Sequence, residues 1–367
     1  MATWMRTLRS FDWLLTTAMF FLLLLSVVLM YGLSLNQPEE GYGLFYKQIA
    51  YTIVDIGVYT AISMIQYRTW QTFRKIIYWA GILLLVLVLL IGVDIRNTTG
   101  WLRLGPLSLQ PVELAKICII IFLAGYFSSY AREFFLWRHI IISGAAVAIA
   151  VGLILLQPDF GSSMVIVATW VVLLLMVRVR TRHLVILGLA GVIVAVSSWL
   201  WLLQPYQKQR IATFLNPQAN PLDEGYNVRQ SVIAVGSGQW FGRGFALGSQ
   251  SQLHFLPEAQ TDFIFAVIGE EFGFVGVALL FLAYLVIIIR LGRTAWKTDD
   301  NFAAYYCLGL AAMLLVQLFI NIGMNMGIAP VTGIPLPLVS AGGSSILAIA
   351  IGLGIANNMS IKSRGYR

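Results

Sequence analysis

Charged residues are scarce in this chain, and its few cysteines and histidines do not form a pattern. Asp, Glu, Lys and Arg make up 11% of the 367 residues, with only two cysteines and three histidines. Cys118 and Cys307 both lie inside apolar runs, so neither a disulfide framework nor a metal-binding pair is indicated. No segment between the apolar runs is long or apolar enough to bury a core of its own, which excludes a separate soluble domain.

Long apolar runs are present instead. Hydrophobic residues make up 59% of the chain, and the mean hydropathy is +0.82. Runs of about 20 residues are long enough to cross a bilayer as helices. The sequence therefore predicts an all-α, polytopic integral membrane protein with a single domain over residues 1–367. We expect ten transmembrane helices: Asp12–Leu33, Gln48–Ile65, Ile76–Val93, Val112–Tyr126, Ile140–Leu156, Phe160–Val177, Leu184–Leu203, Asp262–Ile289, Phe302–Ile320 and Gly342–Ile361.

The basic residues predict the orientation. With a cytoplasmic N-terminus, 16 of the 24 Lys and Arg residues fall in cytoplasmic segments. We therefore expect both termini in the cytoplasm. Of the 16 acidic residues, 12 fall outside or within spans, which points to chemistry on the outer side. The net charge of +8 is explained by topology, and no basic stripe or aromatic platform indicates a nucleic-acid partner.

Ionisable residues in apolar context are costly and usually imply a polar cavity or a partner. Glu113 and Lys116 lie three residues apart on one helix face, where they form either an ion pair or a substrate contact. Asp159 follows Gln157-Pro158 and is a candidate cap for the next helix. Asp55 lies about seven residues inside the second expected span and has no cation at helical spacing.

The segment 204–261 is the one long loop, expected on the extracellular side. Its aromatic residues disfavour disorder, so we expect short helices at the outer membrane interface. Its glycine cluster lacks the spacing of a phosphate-binding P-loop and predicts a tight loop near the membrane. Lys208, Arg210, Arg229 and Arg243 would face lipid headgroups or a bound diphosphate.

The loop and the next span carry long, irregular motifs. These are Tyr206-Gln207 with Arg210, Gly225-Tyr226, Gln230-Ser231, Gly236-Ser237-Gly238, SQSQL at 249–253, FLPE at 255–258 and TDFIF at 261–265. Further motifs are Gln110-Pro111 with Glu113 and Lys116, Gln157-Pro158-Asp159, Asn321-Ile322-Gly323, GIPLP at 333–337, Ser340 and Gly342-Gly343-Ser344. Together they resemble the SEDS (shape, elongation, division, sporulation) proteins over nearly the whole chain. The SQSQL stretch resembles the rod-shape branch (RodA) more than the division branch (FtsW).

This resemblance implies a ten-span peptidoglycan glycosyltransferase that polymerises lipid II outside the cytoplasmic membrane during cell elongation. It also implies a partner, a class B penicillin-binding protein with transpeptidase activity, besides lipid II and membrane lipids. By position, Asp262 matches the acid that the family needs for activity. The residues implied to bind substrate are Lys47, Glu113, Lys116, Asp159, Arg210, Glu258 and Ser340. The sequence departs from the residues usual in this family at Val112, Gln239, Gln260 and Ala341. These departures affect the expected substrate contacts near them, not the reaction.

The chemistry sets requirements of its own. An acceptor hydroxyl must attack an anomeric carbon while a diphosphate leaves, which requires a base and nearby positive charge. Asp262, at a loop–helix boundary, serves as that base or as a helix cap. The diphosphate would be met by Lys116, Arg210 or Lys47, or by a divalent cation such as Mg²⁺ or Mn²⁺, for which the sequence indicates no ligand set.

Three further readings stay open from the sequence. Glu270 and Glu271 follow Asp262 by eight and nine residues and are interpreted as structural, although Glu270 could share its cavity. A lipid II flippase would also have many spans, but it should place polar residues towards the inner half of the membrane. A scaffold for other wall enzymes predicts that Asp262→Ala leaves function intact.

Overall fold

A computed structural model describes residues 11–35, 42–95, 98–104, 107–133, 136–177, 179–202, 205–215, 224–253 and 255–365. Residues 216–223 of the expected extracellular loop, and the basic residues of both termini at positions 6, 9 and 367, lie outside these ranges.

Helices make up nearly all of the described chain. In order, the elements are α1 (Trp13–Leu35), α2 (Gly43–Met64), α3 (Tyr67–Thr72), α4 (Arg74–Ile91), β1 (Val93–Ile95), β2 (Thr98–Leu104), β3 (Leu107–Leu109), α5 (Pro111–Tyr130), a 3₁₀ turn (Ala131–Glu133), α6 (Trp137–Leu155), α7 (Phe160–Met176), α8 (Thr181–Ser197), a π turn (Ser198–Leu202), α9 (Pro205–Leu215), α10 (Glu224–Ser237), α11 (Ser249–Gln252), α12 (Ile264–Lys297), α13 (Asn301–Asn325) and α14 (Gly343–Gly365). The all-α, polytopic membrane architecture is confirmed.

A helix occupies each of the ten expected spans, but eight are long and apolar enough to cross a membrane among the described residues. The two others are α7, with 17 residues, and α2, whose polar residues lower its hydropathy. The count of ten crossings therefore stays a prediction. Helix α12 runs to Lys297, eight residues beyond the expected end, through a segment that carries Arg290, Arg293 and Lys297 and so extends past the apolar run.

The core forms around α12 and α13. These two helices pack on each other, and α13 also contacts α5 and α7, while α12 contacts α1. Helix α14 packs along α2 and α5. The most buried side chains, such as Tyr306, Phe265 and Phe302, lie in this central group. In contrast, His183 is the one buried side chain of α8, so α8 lies at the margin of the bundle.

Helix α2 has a polar buried face. Its buried side chains are Gln48, Asp55, Tyr59 and Ser63. Gln48 donates to Ser26 (2.7 Å), and the Tyr59 hydroxyl bonds Thr16 (2.7 Å). Because hydrocarbon offers no hydrogen bonds, these pairings across α1 and α2 keep the seam between the helices stable.

A small sheet follows α4, which the sequence analysis did not predict. Strands β1, β2 and β3 form an antiparallel meander, with Val93 opposite Trp101 and Arg103 opposite Ser108. The meander connects to the start of α14, since Ser344 donates to the Ser108 carbonyl (3.3 Å) and accepts from the Gln110 amide (2.8 Å). The sheet thereby places the loop before α5 against α14.

Helix α12 is broken at Gly273, and the glycine cluster fills the break. Gly273 has φ 62° and ψ −158°, which removes it from the helical ladder. The Phe274 and Val275 amides donate instead to the Gln239 and Trp240 carbonyls, at 2.8 and 3.1 Å. In the other direction, the amides of residues 243 and 244 donate to the carbonyls of Glu270 and Glu271, at 2.9 and 3.1 Å. The loop therefore satisfies backbone groups that the break frees inside the membrane protein.

Glycine is needed where this loop meets the helix. A Cβ on Gly238 would lie 1.7 Å from the Gly269 carbonyl oxygen, and one on Gly242 would lie 2.1 Å from that of Glu271. Gly242 also has φ 79°, in the left-handed region. The expectation of a tight loop is thus correct, and its physical reason is backbone-to-backbone docking onto α12.

A second polar cluster ties the two chain ends together, and we call this end of the bundle the terminal end. Asp12 forms an ion pair with Arg290 of α12 (2.6 Å) and accepts from Ser360 (3.1 Å). The Asp12 amide donates to the Asn357 side chain (2.9 Å), which in turn donates to Ser63 (3.2 Å). Helices α1, α2, α12 and α14 are therefore linked through one buried network.

Candidate active site

At the opposite end of α12, which we call the cavity end, a cavity of about 320 Å³ opens beside Asp262. It is lined by Trp101 and Gln110 near the sheet, by Asp159 at the start of α7, by Arg210 of α9 and by the turn before α12. A larger depression of about 640 Å³ follows residues 237–247, but Arg243 is the one ionisable side chain in its wall. Ionisable groups from separate elements converge only on the first of these two, which makes it the candidate site.

Asp262 is fixed through its backbone. Its carbonyl accepts from the side-chain amides of Asn321 (3.1 Å) and Asn325 (2.9 Å), both on α13. Asn321 also donates to the Ile334 carbonyl (2.8 Å). Two adjacent turns of α13 thus hold the backbone of the residue while its carboxylate lines the cavity. The alternative role as a helix cap is not what the structure shows, because the N-cap of α12 is Phe263, without a side-chain cap bond.

Glu258 organises the turn before Asp262. Its carbonyl accepts from the amides of Thr261 (3.1 Å) and Asp262 (3.2 Å), and its carboxylate accepts from the Thr261 hydroxyl (3.1 Å). Its own φ is 57°, a left-handed value that a non-glycine residue adopts at a cost of about 1 kcal/mol or more. The strained turn brings both carboxyl groups to the cavity wall.

Asp159 caps α7, as the sequence predicts. Its carboxylate accepts from the Ser162 amide (2.8 Å). Burial raises the pKa of Asp159 above its usual range, while the Ser162 amide and the Lys116 charge act in the opposite direction. Since the residue also lines the cavity, its capping role and a role at the site coexist.

Arg210 is the basic residue of the cavity wall within the described part of the chain. It comes from α9, in the expected extracellular loop, so the loop contributes directly to the site. Two buried hydroxyls in the same wall, those of Thr332 and Ser345, have no hydrogen-bond partner among the described residues. The wall therefore includes a guanidinium, whereas the oxygen atoms of these two hydroxyls are themselves buried and not open to a bound molecule.

Glu113 and Lys116 form a buried ion pair at 2.8 Å, and each side chain is 2% exposed. Neither residue is part of the cavity wall. Proline at the first position of α5 and Glu113 in its first turn match the preferences of a helix start. The pairing alternative is thus what the structure shows, and substrate contact by these two residues stays a prediction.

Lys47 and Ser340 are placed away from the cavity surface. Lys47 is exposed on α2 and does not line the cavity. Ser340 is buried, accepts from the Leu336 amide (2.8 Å) and donates to the Thr261 carbonyl (2.5 Å). Its hydroxyl therefore supports the turn that carries Asp262, and direct substrate binding by either residue stays a prediction.

Sequence reasoning missed several contributors. Asn321 appeared only inside a family motif, and Asn325, Thr332 and Ser345 were not singled out. An amide that clasps a carbonyl some 60 residues away leaves no local pattern. Among the described residues, no group of three or more His, Cys, Asp or Glu side chains is arranged to hold a metal ion.

Comparison with known families and proteins now adds to this geometry. Residues 12–365 match the family model FTSW_RODA_SPOVE, described as "Cell cycle protein". "Probable peptidoglycan glycosyltransferase FtsW" of Nitrosococcus halophilus is 37% identical over 317 residues, which is 84% of this chain and 81% of that protein. "Stage V sporulation protein E" of Bacillus subtilis is 35% identical over 360 residues, covering 96% and 98%.

Solved structures agree with the fold. A chain from "Structural coordination of polymerization and crosslinking by a peptidoglycan synthase complex" is 30% identical and superposes with a TM-score of 0.79, covering 97% of this chain and 98% of that one. The rod shape determining protein RodA of Thermus thermophilus is 27% identical with a TM-score of 0.69, covering 95% and 96%. The match to the family model spans almost the whole chain, and this protein therefore belongs to the FtsW/RodA/SpoVE (SEDS) family.

Proposed function

We propose that this chain is a peptidoglycan glycosyltransferase that polymerises lipid II on the outer face of the bacterial cytoplasmic membrane. The observation that carries the proposal is the cavity in which Asp262 and Arg210 meet. The names of the relatives support it, since several are probable peptidoglycan glycosyltransferases. Both termini would lie in the cytoplasm, at the terminal end, so that the cavity faces outwards.

The reaction joins two lipid-linked sugars. The Asp262 carboxylate accepts the proton of the acceptor hydroxyl as that oxygen attacks the anomeric carbon of the donor. The bond from this carbon to the diphosphate oxygen breaks, and attack from the opposite face inverts the anomeric configuration. Arg210 stabilises the negative charge that develops on the leaving diphosphate.

The polar wall suits a sugar substrate. The hydroxyls of Thr332 and Ser345 are buried and have no partner among the described residues, and each would have to rotate to bond a substrate hydroxyl. A buried polar group without a partner costs free energy, which a bound sugar would return by completing the hydrogen bonds. Asp159, held by the Ser162 amide, adds an acceptor on the same wall.

An elongation role and a partner are part of the same proposal. The SQSQL stretch at 249–253 favours the rod-shape branch, although the relatives with division and sporulation names, at 37% and 35% identity, are more similar to this chain than the rod-shape protein at 27%. The likeness to a chain of a peptidoglycan synthase complex supports a class B penicillin-binding protein as partner.

The test supplies the purified protein with lipid II in detergent, with and without that partner, and resolves the products on a gel. We expect glycan ladders from the wild type and none from Asp262→Ala. The matched control is Asp299→Asn, an acid-to-amide change at an exposed position of the terminal end, which should leave the ladders unchanged.

Two outcomes would contradict the proposal. Wild-type ladders from Asp262→Ala would favour a scaffold. Translocation of lipid II across liposomes without any polymer would favour a flippase, whose path needs polar groups through the inner half of the membrane.

A further inference from the structure

Glu270 is fully buried in α12, two turns beyond Asp262. A carboxylate in such a place is costly unless hydrogen bonds replace its hydration. It takes no part in the cavity wall, and the reaction proposed above does not use it. Its partners therefore decide what it does.

All the partners of its carboxylate lie at the start of α11. One oxygen accepts from the Gln250 amide (2.8 Å) and the Ser249 hydroxyl (3.3 Å). The other accepts from the Ser251 amide (3.1 Å) and its hydroxyl (3.0 Å). Both carboxylate oxygens are engaged, each by one backbone amide and one hydroxyl.

Helix α11 needs this help. The first amides of a helix have no partner within it, and a side chain at the N-cap usually supplies one. Here the N-cap is Gly248, which has no side chain. A Cβ at Gly248 would lie 2.6 Å from a Glu270 carboxylate oxygen, so glycine is what allows the carboxylate to approach. Glu270 thus caps α11 from a distant part of the chain.

The capped turn leads directly to the catalytic residues. The Leu256 amide donates to the Gln250 carbonyl (3.1 Å), and the turn from Glu258 to Phe263 follows at once. The segment 249–262 therefore begins with residues that are hydrogen-bonded to Glu270 of α12. It ends just before the first turn of the same helix. Both ends of the segment are fixed on α12, which limits where Glu258 and Asp262 can lie.

We propose that Glu270 is a positioning residue for the reaction: by capping α11 it sets the placement of Glu258 and Asp262 at the cavity. The proposal rests on the proposed function, because it assigns those two residues to a catalytic cavity. The SQSQ sequence then has a physical purpose, since Ser249 and Ser251 supply the hydroxyls that complete the cap.

The neighbouring Glu271 provides a matched control. It is also buried, but its carboxyl group has fewer partners: it accepts from the Gln252 side chain (3.0 Å) and faces the Ala246 backbone amide. Glutamine at 271 keeps one oxygen that can accept from the Gln252 side chain. Glutamine at 270 turns one of two required acceptors into a donor that faces an amide and a hydroxyl.

The experiment compares Glu270→Gln, Glu270→Asp and Glu271→Gln in nanodiscs. For Glu270→Gln we expect kcat for lipid II polymerisation to fall about tenfold, with KM within about twofold, since a charged hydrogen bond is lost but the cavity wall is intact. Glu270→Asp keeps two acceptors and should recover part of kcat. Glu271→Gln should stay within about twofold of the wild type.

Amide hydrogen exchange supplies the second readout. Peptides covering residues 249–256 should exchange faster in Glu270→Gln than in the wild type or Glu271→Gln, with the rest of α12 unchanged. Slower turnover with unchanged local exchange, or faster exchange with unchanged kcat, would overturn the positioning role. The positioning role would also be overturned if kcat fell in all three variants to the same extent and in proportion to the fall of the thermal midpoint.

Failure of the proposed function is recognised separately. In that case the wild type itself makes no polymer, while the exchange experiment still reports whether Glu270 caps α11.

Discussion

The Asp12 network at the terminal end and two buried hydroxyls at the cavity end differ in whether their polar groups have partners. At the terminal end, Asp12 has partners for its charge and its amide, supplied by Arg290, Ser360 and Asn357. At the cavity end, the hydroxyls of Thr332 and Ser345 are buried without a hydrogen-bond partner in the part of the chain that the structure describes.

The network at the terminal end contributes to stability, whereas the groups around the cavity contribute to function. Groups that satisfy one another fix the relative positions of helices, and breaking one such pair exposes a buried charge. Groups left unsatisfied around a cavity weaken the fold slightly and, once rotated, are available to a ligand. An Asp→Asn substitution should therefore lower stability at the terminal end and polymerisation activity at the cavity end.

The largest expected effect comes from Asp262→Asn. The amide is nearly isosteric and leaves the backbone clasp by Asn321 and Asn325 in place, but it cannot accept a proton. We expect polymerisation to fall by roughly 10²- to 10⁴-fold, which is the contribution of a general base. The thermal midpoint in detergent should change little; a large drop would mean that the carboxylate is structural.

Arg210 comes next, because it supplies the positive charge of the cavity. For Arg210→Ala we expect polymerisation to fall by about 10- to 100-fold, the loss of one charge-assisted contact in the transition state. Arg210→Lys keeps the charge and should recover part of the rate, measured as kcat/KM with lipid II. Equal activity of the alanine and lysine variants would show that Arg210 does not act through its charge.

Asp12→Asn tests the terminal end with the substitution used at Asp262. The Arg290 guanidinium loses its counter-charge within the network, so we expect the free energy of unfolding to fall by about 2 kcal/mol. Polymerisation at a temperature where the variant stays folded should remain within about twofold of the wild type. Activity loss without destabilisation would show that the two ends are coupled.

The local features of both ends could be predicted from the sequence. Apolar runs located the helices, because any helix exposed to hydrocarbon must be apolar along its length. The Asp159 cap and the Glu113–Lys116 pair followed from spacings of three residues, which are fixed by helix geometry.

The long-range features could not be predicted from the sequence. The Asn321 and Asn325 clasp, the cap by Glu270 and the docking of the glycine loop onto α12 depend on chain segments that meet only in the folded protein. The strands at 93–109 were also missed, because their apolar–polar–apolar alternation, as in Leu-Arg-Leu at 102–104 and Leu-Ser-Leu at 107–109, lasts only three residues each time. Lys47 was expected to bind substrate because of its place in a motif; it lies exposed on α2, outside the cavity wall, and its substrate contact stays a prediction.

Asp55 lies between the two ends and gives the smallest predicted effect. It is 1% exposed in the polar seam of α2, and one of its carboxylate oxygens has no partner among the described residues. Unlike Asp12, it forms no ion pair among the described residues, so replacing the carboxyl group by an amide removes the cost of a buried charge without breaking an ion pair. We expect Asp55→Asn to raise the free energy of unfolding by about 1 kcal/mol and to leave polymerisation within about twofold of the wild type. Measured beside Asp12→Asn in the same detergent, the two variants should shift the thermal midpoint in opposite directions. A fall of the thermal midpoint in both variants would mean that Asp55 is held as an anion by partners within the seam. The contrast between satisfied and unsatisfied carboxyl groups would then not explain the stability of the two variants.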